Sequence, residues 1–237
     1  MQLFNLIKSK KEYWLVDQVK VDGISEKEYK EAFTKILSSY KEEQIGYLSL
    51  LMDESFEEWL LDSGFRKVSS IVEYTKQLEN QSELDRDLLF YSLAEGVMTD
   101  SEFAKIYELC RTGTANKNIP QPINQVMASL SSELGDKWRS NCYCFYTNDK
   151  LVGISIPHIE MGTLHEGRMF YFGVVPDMRE QGFGMKIHKL SLELMQQKMH
   201  ANYYVGSTDE SNNHMITIFT KNGCTLRDKK GIYRIEK

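Results

Sequence analysis

Val175-Pro176-Asp177-Met178-Arg179-Glu180-Gln181-Gly182-Phe183-Gly184-Met185 is the stretch on which the fold turns, because it joins two elements of different character. Residues 167–175 (GRMFYFGVV) are nearly all apolar and predict a central strand covered on both faces, ended by Pro176 and Asp177. Downstream, Phe183, Ile187, Leu190 and Leu194 fall at helical spacing and predict a helix over 182–199 with one apolar stripe. Small residues at 182 and 184 let main-chain N–H groups point at an anion. The helix start adds the positive end of its dipole, and Arg179 adds a fixed charge. The stretch therefore has the character of a phosphate cradle. It is not a Walker A loop, which needs G-x-x-x-x-G-K-S/T. It is not a dinucleotide fingerprint either, since Ile187 stands where the third glycine belongs.

Working outward, residues 141–148 and 150–157 form two β-prone runs, and Asn148-Asp149 between them predicts a hairpin. Residues 202–207 predict a strand, and 211–221 a helix stopped by Asn222-Gly223. Residues 231–236 alternate as a last strand. Upstream, 87–94 predicts a strand, and Thr99 with Glu102 has capping-box spacing for a helix to about Cys110. A further helix is expected over about 122–134. From residue 87 the order is β, α, α, β, β, β, α, β, α, β, an α/β or α+β arrangement with a sheet of mixed direction.

Arg179-x-x-Gly182-x-Gly184, after a strand ending in V-V-P and before a long helix, resembles the signature of the GNAT superfamily of N-acetyltransferases. A second element agrees: Asn212 opens a helix that leads to Lys221-Asn222-Gly223-Cys224, where the family has K-x-G-F. The resemblance covers about residues 87–237 and implies a GNAT-like, mostly antiparallel sheet flanked by helices. It also implies acetyl-CoA as co-substrate and direct attack of a primary amine, of a small molecule or a peptide, on the thioester. Gly173, Val174 and Val175 would offer main-chain bonds to the pantetheine arm, and one N–H there would face the acetyl carbonyl. Arg179, Gln181, Gly182, Phe183, Gly184 and Met185 would hold the pyrophosphate, and Asn212 would contact the pantetheine region. The strands 169–175 and 202–207 would splay to admit the cofactor arm.

Three positions depart from the family pattern. Glu180 stands where glycine is common, and its carboxylate is expected to point to solvent. Phe219 stands seven residues after Asn212, where many members have a tyrosine that protonates the leaving thiolate. The strand 167–175 lacks the glutamate that serves some members as base. These departures keep open a non-catalytic acyl-CoA-binding or sensor protein, and a purely structural module that binds no CoA.

An amine substrate is protonated at neutral pH and must lose a proton before attack. His158, Glu160, His165, Glu166 and Asp209 are base candidates, with Glu166 and His165 first; Tyr203, or Tyr204 beside it, could deliver a proton. Packing is the plainer role for both tyrosines, and a solvated helix surface for His188, His200 and His214. Cys142, Cys144 and Cys224 are expected as small core residues. No spacing of His, Cys and carboxylates suggests a metal.

The first 78 residues form a separate lobe in this reading, with the polar stretch 79–86 (ENQSELDR) as linker. Residues 12–21 could hold strands. Ser25 with Glu28 is a capping box for a helix carrying Tyr29, Phe33, Ile36, Leu37 and Tyr40. A strand over 45–52, a short helix over 55–62 and a strand near 68–75 follow. Asp53-Glu54-Ser55 and Asp209-Glu210-Ser211 each open a helix that ends at a glycine, Gly64 and Gly223, with Tyr74 and Tyr233 ten residues on. The lobe thus resembles the second half of a GNAT unit without R-x-x-G-x-G. It is expected to complete the fold or cover the substrate side of the active lobe.

The composition of the 237 residues, 41% hydrophobic and 27% charged, is globular. A net charge of -5 argues against binding nucleic acid through phosphate neutralisation. No apolar run approaches the ~18 residues of a membrane span. The N-terminus lacks a signal-peptide pattern, so reduced cysteines and a cytoplasmic location are expected. A homodimer is common among proteins of this kind, and the tandem arrangement could replace one.

Overall fold

A computed structural model describes residues 2–9, 12–43, 46–79, 88–114 and 121–236. Apart from Glu79, the expected linker over 79–86 lies outside the described residues. The chain divides into two compact units, Met1–Val72 with Asp228–Lys237, and Glu73–Arg227. This division differs from the sequence boundary. The end of the C-terminal strand belongs with the first unit, and residues 73–78 with the second.

The first unit contains β1 (Phe4–Lys8), β2 (Tyr13–Gln18), α1 (Glu26–Glu42), β3 (Tyr47–Met52), α2 (Glu57–Asp62) and the first part of β4 (Arg66–Gln77). The end of the C-terminal strand β10 (Thr225–Glu236) joins them, in the order β1-β2-β3-β10-β4. β2 pairs with β3 in parallel; β1 with β2 and β3 with β10 are antiparallel. The Ser25 capping box forms, with the Ser25 N–H donating to Glu28 Oε2 at 2.8 Å. The predicted stripe of α1 is buried at Tyr29, Phe33, Leu37 and Tyr40, against Phe4, Trp14, Phe56 and Phe65. β1 is missing from the sequence expectation, since FNLIK is short and carries one buried residue, Phe4.

Glu54 gives this unit a pH dependence. Burial works against its ionisation. Hydrogen bonds from Lys67 (2.8 Å) and Ser70 (2.5 Å) and the ammonium of Lys229 (2.9 Å) outweigh it and bring its pKa from 4.5 to about 2. A carboxyl that is more acidic folded than unfolded contributes stability above its unfolded pKa and loses it as pH falls toward the folded value. Urea midpoints are expected to fall between about pH 5 and pH 2, with the slope reduced in Glu54→Gln. An unchanged slope in that variant would assign the acid sensitivity to other groups.

The second unit contains β5 (Leu89–Ser92), α3 (Asp100–Arg111), α4 (Ile123–Leu134), α5 (Trp138–Asn141), β6 (Tyr143–Thr147) and β7 (Lys150–Ile159). β8 (Glu166–Val174), α6 (Phe183–Met199), β9 (Tyr203–Asp209) and α7 (Asn213–Lys221) complete it. Its strands run β4-β9-β8-β7-β6-β5, antiparallel from β5 to β8 and parallel between β8 and β9. The β6–β7 hairpin turns on Asn148 and Asp149 with φ of 47° and 60°, the left-handed pair of a type I′ turn. Thr99 caps α3 as expected.

Three expectations differ from the structure. α6 is buried around much of its circumference, from Ile187 through Met195, rather than along one stripe. His188, read as a surface histidine, is 0% exposed. β8 was expected to be covered on both faces, yet Arg168–Val174 is only half-buried.

The internal repeat is reproduced in backbone geometry. Asp53 Oδ1 accepts the Ser55 N–H at 2.9 Å, and Asp209 Oδ1 accepts the Ser211 N–H at 2.9 Å. Both helices close alike, with Phe65 N donating to Leu60 O at 3.0 Å and Cys224 N to Phe219 O at 2.9 Å. Tyr233 is buried in the core that holds Leu60, and Tyr74 stacks on Phe219 at 5.0 Å. Each repeat therefore places its tyrosine in the packing around its short helix.

Candidate active site

β8 and β9 pair only at Glu166↔Tyr203 and Gly167↔Tyr204, although β8 continues to Val174 and β9 to Asp209. Beyond that point the strands part, as the sequence reading required. The half-burial of β8 follows from this, because one edge of the strand has lost its neighbour. A bulge marks the same region: Tyr171 lies opposite Ile156 and Met169 opposite Pro157, leaving Phe170 as the extra residue. A bulge bends its strand and re-aims the main chain.

The main chain at the gap can be read residue by residue. Val175 donates its N–H to Val152 O on β7 at 3.0 Å. Residues of an antiparallel ladder face its two edges alternately, so Gly173 also turns to β7, while Phe172 and Val174 turn to the gap. Of the three residues expected to offer main-chain bonds there, only Val174 is so oriented. Phe172, which the sequence did not single out, joins it.

The loop after β8 ends in an uncapped helix start. Gly182 has φ of 81°, and no side chain caps α6. The N–H groups of the first turn, including Phe183, Gly184 and Met185, have no carbonyl one turn back within the helix. Glu180 also has positive φ, 61°, a backbone conformation that favours glycine, and it is exposed. The Gln181 side-chain amide donates to Asp177 O at 3.1 Å and closes the loop.

Arg179 does not project into this cradle as a free charge. Its Nε donates to Val174 O at 3.1 Å, Nη2 to Cys110 O at 3.1 Å and Nη1 to Gly113 O at 3.4 Å. It ties the end of β8 to the C-terminal end of α3 and supplies donors to carbonyls that a helix end leaves unpaired. Asn212 is likewise engaged: it caps α7 by accepting the Met215 N–H at 3.2 Å and donates to Thr208 Oγ1 at 3.1 Å.

Of the catalytic candidates, Glu166 and Tyr203 are brought together where β8 and β9 still pair. Tyr203 Oη donates to Glu166 Oε2 at 3.0 Å, and Arg168 Nε to Glu166 Oε1 at 2.7 Å. The bond to Glu166 raises the Tyr203 pKa. Glu160 stands 3.5 Å from both Arg168 and His158, whose pKa burial lowers. His165 is exposed and its Nδ1 lies 3.2 Å from His200 O, with no bond to Glu166. Asp209 is committed to its turn. Cys142, Cys144 and Cys224 are buried as expected, and burial pushes the Cys224 thiol up to about 11.

No protein-family model matches the sequence, and no curated protein matches it significantly. Solved structures do. A GCN5-related N-acetyltransferase from Sphaerobacter thermophilus superposes with a TM-score of 0.68 at 12% identity, over 98% of this chain and 76% of that one. A tandem GNAT protein from the clavulanic acid biosynthesis pathway gives 0.61 at 13% identity, over 98% and 78%. A conserved protein of unknown function from Staphylococcus epidermidis gives 0.61 at 15% identity, over 99% and 94%. This chain has the GNAT fold. The parted strands, the bulge and the uncapped helix start all lie in its second unit, with R-x-x-G-x-G at the helix start. Among the described residues, no helix is long and apolar enough to cross a membrane.

Proposed function

We propose that the protein is an acyl-CoA-dependent N-acetyltransferase, moving an acetyl group from acetyl-CoA to a primary amine of a small molecule or peptide. The observation that carries this reading is the parting of β8 from β9 beside an uncapped, glycine-opened helix. The residues fit the cofactor. Main-chain groups of Phe172 and Val174 face the gap and would hold the pantetheine arm. The first N–H groups of α6 would hold the pyrophosphate, in the field of the helix dipole. Arg179 would act indirectly, by fixing the loop that presents them. Acetyl-CoA supplies a thioester whose acyl carbon is open to direct attack.

Glu166 is the base in this proposal. It is 8% exposed, held by Arg168 and Tyr203, and takes the proton that the ammonium sheds. Tyr203 orients that carboxylate rather than serving the leaving group, since its hydroxyl is already committed. Most of the rate comes from holding amine and thioester together. Residues 1–78 form a degenerate GNAT-like half in this account, supported by the shared D-E-S turns and by the missing glycine signature. We further propose that the protein works in the cytoplasm without metal or nucleic acid.

Phe219 favours a second reading, a non-catalytic acyl-CoA sensor, because it carries no proton. The two separate in one assay, release of free thiol from acetyl-CoA with a panel of primary amines. Amine-dependent release above the rate without protein is expected. Tight acetyl-CoA binding with no release across the panel would favour the sensor.

A further inference from the structure

β9 carries a phenol at the point where the gap opens. Tyr204 is the last residue of β9 to pair with β8, and it is 2% exposed. Its ring runs along the strand, so that a Cβ on Gly206 would collide with its hydroxyl. The same point lies 3.0 Å from Phe219 Cε1 on α7. Glycine at 206 leaves the room in which that hydroxyl sits. The Tyr204 hydroxyl and the edge of Phe219, where the family carries its tyrosine, therefore converge.

The described residues offer the Tyr204 hydroxyl no hydrogen-bond partner. A ring packed against Tyr204 carries a buried polar atom that has no partner. His188 on α6 packs against Phe172 of β8 (5.8 Å), Tyr204 of β9 (5.3 Å) and Phe219 (5.5 Å), and so bridges the two strands where they part. Its Nδ1 accepts from Asn222 Nδ2 at 2.9 Å, which leaves the proton of the neutral ring on Nε2. Burial lowers its pKa to about 3, so the ring is neutral. Nε2 is buried without a partner. An unpaired buried donor is costly and is tolerated where a ligand completes it.

We propose that Tyr204 is the proton donor to the departing thiolate, taking over the role that Phe219 cannot fill. This rests on the acyl-CoA reading above. The amine nitrogen bonds to the acyl carbon, the C–S bond breaks, and its electron pair stays on sulfur. Sulfur takes the proton of Tyr204 Oη. Glu166, having passed the ammonium's first proton to solvent, takes the nitrogen's second, and the phenolate regains a proton from solvent. His188 is a positioning residue, since its ring abuts Tyr204 edge-on at 82°.

The test needs no acceptor amine. Calorimetry compares CoA with desulfo-CoA, its analogue lacking the sulfur, on the wild-type chain, on Tyr204→Phe and on the double variant Tyr204→Phe, Phe219→Tyr. A hydrogen bond from Tyr204 to sulfur predicts that the wild type prefers CoA about tenfold. Tyr204→Phe is expected to abolish the preference with desulfo-CoA affinity unchanged, which also shows that it folds. Restoring a phenol at 219 is expected to recover it. If the wild type binds neither ligand, the cofactor reading falls and this proposal with it. If it binds both equally, or Tyr204→Phe keeps the preference, the proton-donor assignment alone is overturned.

Discussion

Met185→Glu is expected to weaken acetyl-CoA binding about 100-fold while leaving the fold as stable or slightly more so. Met185 lies in the first turn of α6 and is 36% exposed, so the substitution leaves no cavity in the core. A carboxylate there faces N–H groups that no side chain caps, and first-turn acidic residues stabilise helices by about 0.3–1 kcal/mol. The same carboxylate would compete with a pyrophosphate for those donors and repel it, and like charges set together cost several kcal/mol. Stability and binding thus move in opposite directions, which a merely disruptive substitution does not do. Thermal melts and calorimetry on one preparation check both. Unchanged binding would show that the start of α6 holds no phosphate.

Arg179→Ala is expected to cost about 3 kcal/mol of stability, because three main-chain carbonyls lose a charged donor at once. The residue is usually valued in such a motif for its charge toward an anion. Here its geometry says otherwise, since Val174 O, Cys110 O and Gly113 O take its three described bonds. Arg179→Lys is expected to lose most of the same stability, since an ammonium cannot present the planar fork that reaches three acceptors. Urea denaturation measures both. A loss within about 0.5 kcal/mol, the range of an ordinary surface substitution, would mean that water serves those carbonyls as well.

Local chemistry made much of this fold legible. Asn148-Asp149, Ser25 with Glu28, Thr99 with Glu102, and Asn212 before α7 each act within a few residues of themselves, and each does what its chemistry dictates. Arg179-x-x-Gly182-x-Gly184 marks a local backbone shape for the same reason. Features that depend on distant residues were not legible. His188 lies off the stripe of Phe183, Ile187, Leu190 and Leu194, and Phe172, Tyr204 and Phe219, from other elements, pack against it. The bulge at Phe170 leaves no trace in an apolar strand, since one extra apolar residue does not alter its composition. Two partners of Arg179, Cys110 at the end of α3 and Gly113 just beyond it, are 69 and 66 residues away in sequence. β4 and β10 each contribute residues to both units, so a boundary drawn at a polar stretch could not find the true division.

Calorimetric titration of the wild-type chain with acetyl-CoA tests the central claim most directly. The account predicts saturable 1:1 binding in the micromolar range, weakened about 100-fold in Met185→Glu while its melting temperature holds. No heat, together with no thermal stabilisation by acetyl-CoA or CoA, would contradict it and leave the glycine loop as a turn between a strand and a helix.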